Sequence, residues 1–168
     1  MDTLQYSIHI LSKEHKKNTF SCGIEALDRY LIQQAGQDAR RYVAATYALT
    51  EIDSQVIIGY YTLSSTSVKL SNLPQEIIKK LPRYPTLPAT LLGRLAVDQK
   101  YHGKKLGELL LIDALKRSFR LSKELASVAV IVDAKNEEAN RFYQRYGFIQ
   151  FSELQNKLFL PMITISQI

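Results

Sequence analysis

The 168-residue chain holds a single cysteine, no tryptophan, five prolines and seven glycines. A lone Cys22 excludes an intrachain disulfide and any multi-cysteine metal site, and it fits a reducing compartment. Beside Ser21 and Gly23 at a helix entry, it reads as a small loop residue rather than a nucleophile. His9, His15 and His102 show no ligand spacing, so no bound metal is expected. No apolar run reaches the roughly 20 residues that span a bilayer, and nothing resembles a signal peptide. A soluble, cytoplasmic protein with no membrane partner is therefore expected. There is no repeat or low-complexity segment, and the length suits one domain over 1–168. Twenty-two Lys and Arg against 16 Asp and Glu leave a formal charge of +6, which favours polyanions such as RNA. The basic clusters Lys13, Lys16, Lys17, then Arg40, Arg41, then Lys79, Lys80, Arg83, then Lys116, Arg117, Arg120 have no common face assignable from sequence.

What the chain does have is concentrated in residues 88–107, PATLLGRLAVDQKYHGKKLG. An apolar strand runs into a Gly/Lys loop that opens a helix, whose apolar face is Leu106, Leu109, Leu110, Leu115 and Phe119. The first turn of a helix leaves amide N–H groups unpaired, and its dipole adds positive potential there. Gly103 and Gly107 allow close backbone approach, while Lys100, Lys104 and Lys105 add charge, so the junction suits a phosphate. Taken alone, it is equally an ordinary strand-loop-helix connection with solvated lysines.

Residues 126–133, ASVAVIVD, read as a buried strand. Asn136 caps the helix that follows, Glu137 and Glu138 suit its positive end, and Gly147 suits a left-handed stop. Ala139, Phe142, Tyr143 and Tyr146 share one face. Elsewhere the pattern predicts a strand over Tyr6 to Leu11 and a helix from Ile24 to about Arg41. Strands Val43 to Glu51 and Val56 to Ser65 follow around an Asp53-Ser54 turn, then a short helix Pro74 to Lys80, a rigid extended RYPTLP connector, and a last strand near Lys157 to Thr164. The order is mixed α/β.

The pairing of LGRLAVDQKYHGKKLGELLL with NEEANRFYQRYGF, starting at Asn136, resembles the GNAT superfamily of N-acetyltransferases. The opening FSCGIEALDRYLIQQAGQDARRYVAATYAL, the central VIIGYYTLSSTSV and the closing KLFLPM look like the GNAT toxins of bacterial toxin-antitoxin pairs, which acetylate the amino acid on charged tRNA. The similarity runs from about Phe20 to Met162. It implies a twisted, mostly antiparallel sheet with a splayed parallel strand pair, flanked by helices. It also implies acetyl-CoA as co-substrate, aminoacyl-tRNA as acceptor, a small antitoxin partner and a homodimer. His102, Gly103, Lys104, Lys105, Leu106, Gly107 and Glu108 would hold the pyrophosphate. Leu95, Ala96 and Val97 would line the coenzyme, with the Leu95 and Val97 backbones reaching the pantetheine amides; Asn136 and Phe142 would be further contacts.

Two positions depart from the superfamily's Gln/Arg-x-x-Gly-x-Gly/Ala loop pattern. His102 stands first and Lys105 replaces the middle glycine, while Gly107 keeps the last place. Lys105 keeps an amide, but phosphate binding then requires a backbone conformation there that tolerates a Cβ. Gly93 has two readings, a bulge where the parallel strands splay or simple packing tolerance. Arg94 is a substrate or phosphate contact, or a strand-face ion pair.

Acetyl transfer needs an unprotonated amine and a proton for the leaving thiolate. Deprotonating a lysine at pH 7 costs about 4.6 kcal/mol, an α-amine only about 1. Thr90 to Val97 carries no Asp or Glu, although many lysine-modifying GNAT enzymes place a carboxylate on that strand. This favours an α-amino acceptor. The resemblance assigns Tyr143 as general acid, whereas its stripe with Phe142 and Tyr146 also suits packing. An acetyltransferase of a protein or small amine remains the alternative, and a binding module without coenzyme a third.

Overall fold

The computed structural model describes residues 5–152, 154 and 156–168. Its strands are β1 (Tyr6–Ile10), β2 (Ala45–Glu51), β3 (Gly59–Lys69), β4 (Thr86–Val97), β5 (Ala129–Asp133), β6 (Ile149–Gln150) and β7 (Lys157–Pro161). They form one mostly antiparallel sheet with hydrogen-bonded order β1-β2-β3-β4-β5-β7-β6, in which β4 and β5 are the parallel pair. The helices are α1 (Glu25–Arg29), α2 (Ala35–Arg40), α3 (Gln75–Ile78), α4 (Leu106–Ser122), α5 (Glu137–Arg145) and α6 (Met162–Ile165). The chain forms two compact units, Met1–Ser64 with Gly93–Ala114 and Ser65–Leu92 with Leu115–Ile168; β3, β4 and α4 each run through both.

In the first unit β1 pairs antiparallel with β2, Ile8 opposite Leu49, and β2 with β3, Tyr47 opposite Tyr61. Leu31 and Ala35 are fully buried in a cluster with Phe20, Tyr30, Ala48, Ile57 and Tyr60, and Leu27 packs against it. The spacing predicted one α-helix over Ile24 to Arg41, but Tyr30–Gln34 is a π-helical turn between α1 and α2. The widened turn lets both Tyr30 and Leu31 face the core. Asp53 sits at the expected turn with φ 63°. The following strand begins at Gly59 rather than Val56, which instead bridges to Lys16. Gly59 is where backbone must pass closely: a Cβ there would lie 3.1 Å from Leu49 and Leu110 side-chain carbons and 3.2 Å from the Ala96 carbonyl oxygen.

In the second unit β5 is buried along Ala129 to Val132, as its continuous apolar run requires. Its register with β4 runs Thr90–Val130, Leu91–Ile131, Leu92–Val132 and ends one residue before Gly93. β7 pairs antiparallel with β5, and β6 with β7. The RYPTLP segment, expected as a connector, supplies the start of β4. Pro88 is tolerated because its carbonyl, not an N–H, is used, accepting from Val128 N at 2.9 Å. The last strand stops at Pro161 rather than Thr164, since Met162–Ile165 form the short α6 after an extended Pro161. Among the described residues no helix is long and apolar enough to cross a membrane.

Candidate active site

The Gly/Lys loop is built by anchoring both of its ends. Asp98, 6% exposed, follows β4; its carboxylate accepts from Lys100 N at 3.0 Å and from Ser21 N at 3.1 Å. Its own amide reaches the Ile58 carbonyl at 2.8 Å. The His102 imidazole donates from Nε2 to the Val97 carbonyl at 2.7 Å, folding the loop back onto the strand end. Tyr101 donates its hydroxyl to Glu51, and that bond, with some burial, pushes its pKa up to about 12. Lys104 Nζ lies 5.2 Å from the Tyr101 ring centroid.

Between these anchors the backbone is left open. Leu109 N bonds the Lys105 carbonyl at 3.1 Å as the first bond of α4. Among the described residues the amides of Gly103, Lys104, Lys105, Leu106, Gly107 and Glu108 have no acceptor. Gly103 (φ 81°) and Lys105 (φ 60°) are both left-handed, and left-handed residues in a turn are how successive amides form anion-binding nests. Lys105 thus adopts the conformation that the superfamily's glycine supplies without strain. Six free amides, a helix N-terminus and the exposed Lys100, Lys104 and Lys105 make a seat for a polyanion such as a pyrophosphate. Leu95, Ala96, Val97 and His102 through Glu108 are brought together in this one unit. The Val97 carbonyl, expected to be free for a ligand, already accepts from His102, leaving its second lone pair.

The same unit holds an aromatic and cationic cluster that sequence reasoning missed. The Arg94 guanidinium stacks 3.4 Å from the Tyr30 ring centroid, a partner the sequence pattern did not name, and its charge acts on the Asp38 carboxylate. Tyr30 donates to Asp38 Oδ2 at 2.8 Å and stacks on Tyr60; Tyr60 donates to the Leu27 carbonyl at 2.7 Å. Burial, then the Asp38 contact, pushes the Tyr30 phenol up to about 12. Hydrogen bonds from Gln34 and Tyr30 hold the Asp38 carboxyl below the usual range. The signal was faint: a Tyr30-x₇-Asp38 spacing departs from α-helical periodicity because of the π turn. Cys22 is buried, and burial with a contact from Asp28 raises its thiol to about 11, which keeps it protonated and poorly nucleophilic.

In the second unit α5 carries Asn136, Phe142 and Tyr143. Asn136 Oδ1 accepts from Ala139 N at 2.8 Å as the expected N-cap, and Gly147 ends the helix region at φ 94°. Tyr143 is 7% exposed and packs between Phe142 and Phe148, ring centroids 5.2 and 5.3 Å away. Burial raises its pKa, so the phenol is protonated at any working pH. Among the described residues its hydroxyl has no hydrogen-bond partner. Among the described residues the buried side-chain polar atoms without a partner are Thr46 Oγ1 and Ser118 Oγ, so the Tyr143 hydroxyl, at the end of a buried ring, reaches solvent.

Residues 88–165 match the family described as acetyltransferase (GNAT) domain. The tRNA-acetylating toxin of Mycobacterium tuberculosis is 32% identical over 130 residues, covering 77% of this chain and 76% of that protein. The structure of AtaT complexed with acetyl-methionyl-tRNAfMet has a TM-score of 0.90 at 30% identity, covering 96% of this chain and 98% of AtaT. A tyrosine-to-phenylalanine variant of AtaT, bound to the C-terminus of the antitoxin AtaR and to acetyl-CoA, has a TM-score of 0.82 at 27% identity and covers 97% of each chain.

Proposed function

The chain belongs to the GNAT acetyltransferases, among the tRNA-acetylating toxins, and from this we propose that it moves the acetyl group of acetyl-CoA onto the α-amino group of aminoacyl-tRNA, blocking translation. The observation that carries the coenzyme half of this reading is the run of six unpaired amides from Gly103 to Glu108. A diphosphate would satisfy those donors, with Lys100, Lys104 and Lys105 as counter-charges. The acceptor half rests on the relatives and on proton affinities. No Asp or Glu lies on β4 to activate a lysine, and an α-amine needs little activation at pH 7.

The chemistry is direct transfer. The neutral amine attacks the thioester carbonyl, the C–S bond breaks, and the thiolate leaves with a proton from Tyr143, while the proton shed by the attacking nitrogen passes through solvent to restore the phenol. Leu95, Ala96 and Val97 would line the pantetheine, with Asn136 and Phe142 as further coenzyme contacts. An acetylated amine cannot form a peptide bond, so the charged tRNA is removed from translation. We take residues 1–168 as one working GNAT domain that acts in the cytoplasm as a homodimer, and we take its neutralising partner to be a small antitoxin, as AtaR is for AtaT. Incubation with labelled acetyl-CoA and total charged tRNA tests the reading. Label on the aminoacyl group is the expected result; label only on peptides or polyamines would sink it.

A further inference from the structure

The turn that ends α2 is built unlike a packing element. Tyr42 has left-handed backbone, φ 60°, a conformation disfavoured for a bulky residue. It gains no packing in return, because its side chain is 96% exposed, and the adjacent Val43 is 60% exposed. The turn is nevertheless held firmly. Tyr42 N donates to Ala39 O at 3.2 Å, and Val43 N to Asp38 O at 2.9 Å. The side chain of the same Asp38 accepts from Tyr30, on whose ring Arg94 lies. A ring held outward on fixed backbone is a platform.

Cations precede it in the chain. Arg40 and Arg41 precede Tyr42 and are exposed. Arg40 Nη1 and Lys17 Nζ converge over Gly36, 3.3 and 4.0 Å from where its Cβ would be. Two clusters separate in sequence thus meet. Lys17 is fixed from behind, since its neighbour Lys16 pairs through its backbone with Gln55 and Ile57. Among the described residues neither Lys17 nor Arg40 has an acidic partner. Like charges converging without an acid favour an anion between them.

We infer that Lys17, Arg40, Arg41 and Tyr42 form the docking surface for the single-stranded end of an RNA, with phosphates on the cations and an unpaired base stacked on the Tyr42 ring. Aromatic stacking beside a basic patch is how unpaired RNA ends are held. This rests on the tRNA reading above and names its contact surface.

The test measures acetyl transfer to total charged tRNA across a salt series, with coenzyme binding followed by calorimetry. Lys17→Ala and Arg40→Ala should each raise the apparent KM for tRNA about 5- to 10-fold and lower the salt slope by about one. Tyr42→Ala should raise KM about tenfold, and Tyr42→Phe should leave it near wild type. In all four, kcat and coenzyme affinity should be unchanged. An unchanged tRNA KM in a chain that still acetylates charged tRNA overturns the surface and spares the function. Loss of antitoxin binding with unchanged tRNA KM overturns it in favour of a protein contact. Equal loss in Tyr42→Phe and Tyr42→Ala overturns the stacking. No acetylation of charged tRNA by the wild type ends both readings.

Discussion

Gly103 and Lys105 share a left-handed backbone within one loop, and only one of them is free of strain. A non-glycine residue in that region is disfavoured by about 1–2 kcal/mol. Lys105→Gly should therefore stabilise the fold by about 1 kcal/mol and raise Tm by about 2–4 °C in thermal unfolding. The amide that faces the anion is retained, so coenzyme Kd should rise less than about fivefold, the share of one exposed charge. Gly103→Ala is the converse case. A Cβ there meets nothing within 4 Å, yet the backbone alone should make the variant less stable by about 1 kcal/mol.

Among the elements, α5 brings the cap and the phenol onto one nine-residue helix. Asn136 has two assigned roles, cap and coenzyme contact, which substitution can separate. Asn136→Ala should destabilise by about 1 kcal/mol in urea unfolding, and Asn136→Asp should restore stability because a carboxylate caps equally well and suits the helix dipole. If Asn136 also touches the coenzyme, Asn136→Asp will still raise the KM for acetyl-CoA. The π turn between α1 and α2 shows a different economy: its wide turn buries Tyr30 while leaving its hydroxyl on Asp38, eight residues later.

For the whole molecule, the pH profile joins the acceptor to the acid. An α-amine with an ordinary pKa near 7.7–8.0 must be neutral to attack, so log kcat/KM should rise with unit slope below about pH 7.7 and then level off. Because burial raises the Tyr143 pKa above its ordinary value, the proton donor is not lost as pH increases. No alkaline fall from this group should appear up to pH about 10. Tyr143→Phe keeps the ring packing against Phe142 and Phe148. It should cut kcat by about 10²–10⁴ with little change in KM or Tm, measured by steady-state kinetics. Induction of the wild-type chain in cells should halt translation, and Tyr143→Phe should relieve the arrest; a variant that stays toxic would remove Tyr143 from its role.

The order of strands and helices was written locally, because period, caps and turn residues act over a few positions. The β5 run, the Asn136 cap, the Asp53 turn and the Gly147 stop all came from neighbours in sequence. The Gly/Lys loop and its left-handed Gly103 belong to the same local kind, since the unpaired donors are the loop's own amides. Side-chain partners between distant segments were decided only by the tertiary structure. Asp98 anchors Ser21 across 77 residues, Arg94 finds the Tyr30 ring, and Lys17 meets Arg40 over Gly36. Such meetings depend on how the sheet and the α1–α2 segment pack, and a one-dimensional pattern carries no distance between residues far apart along it.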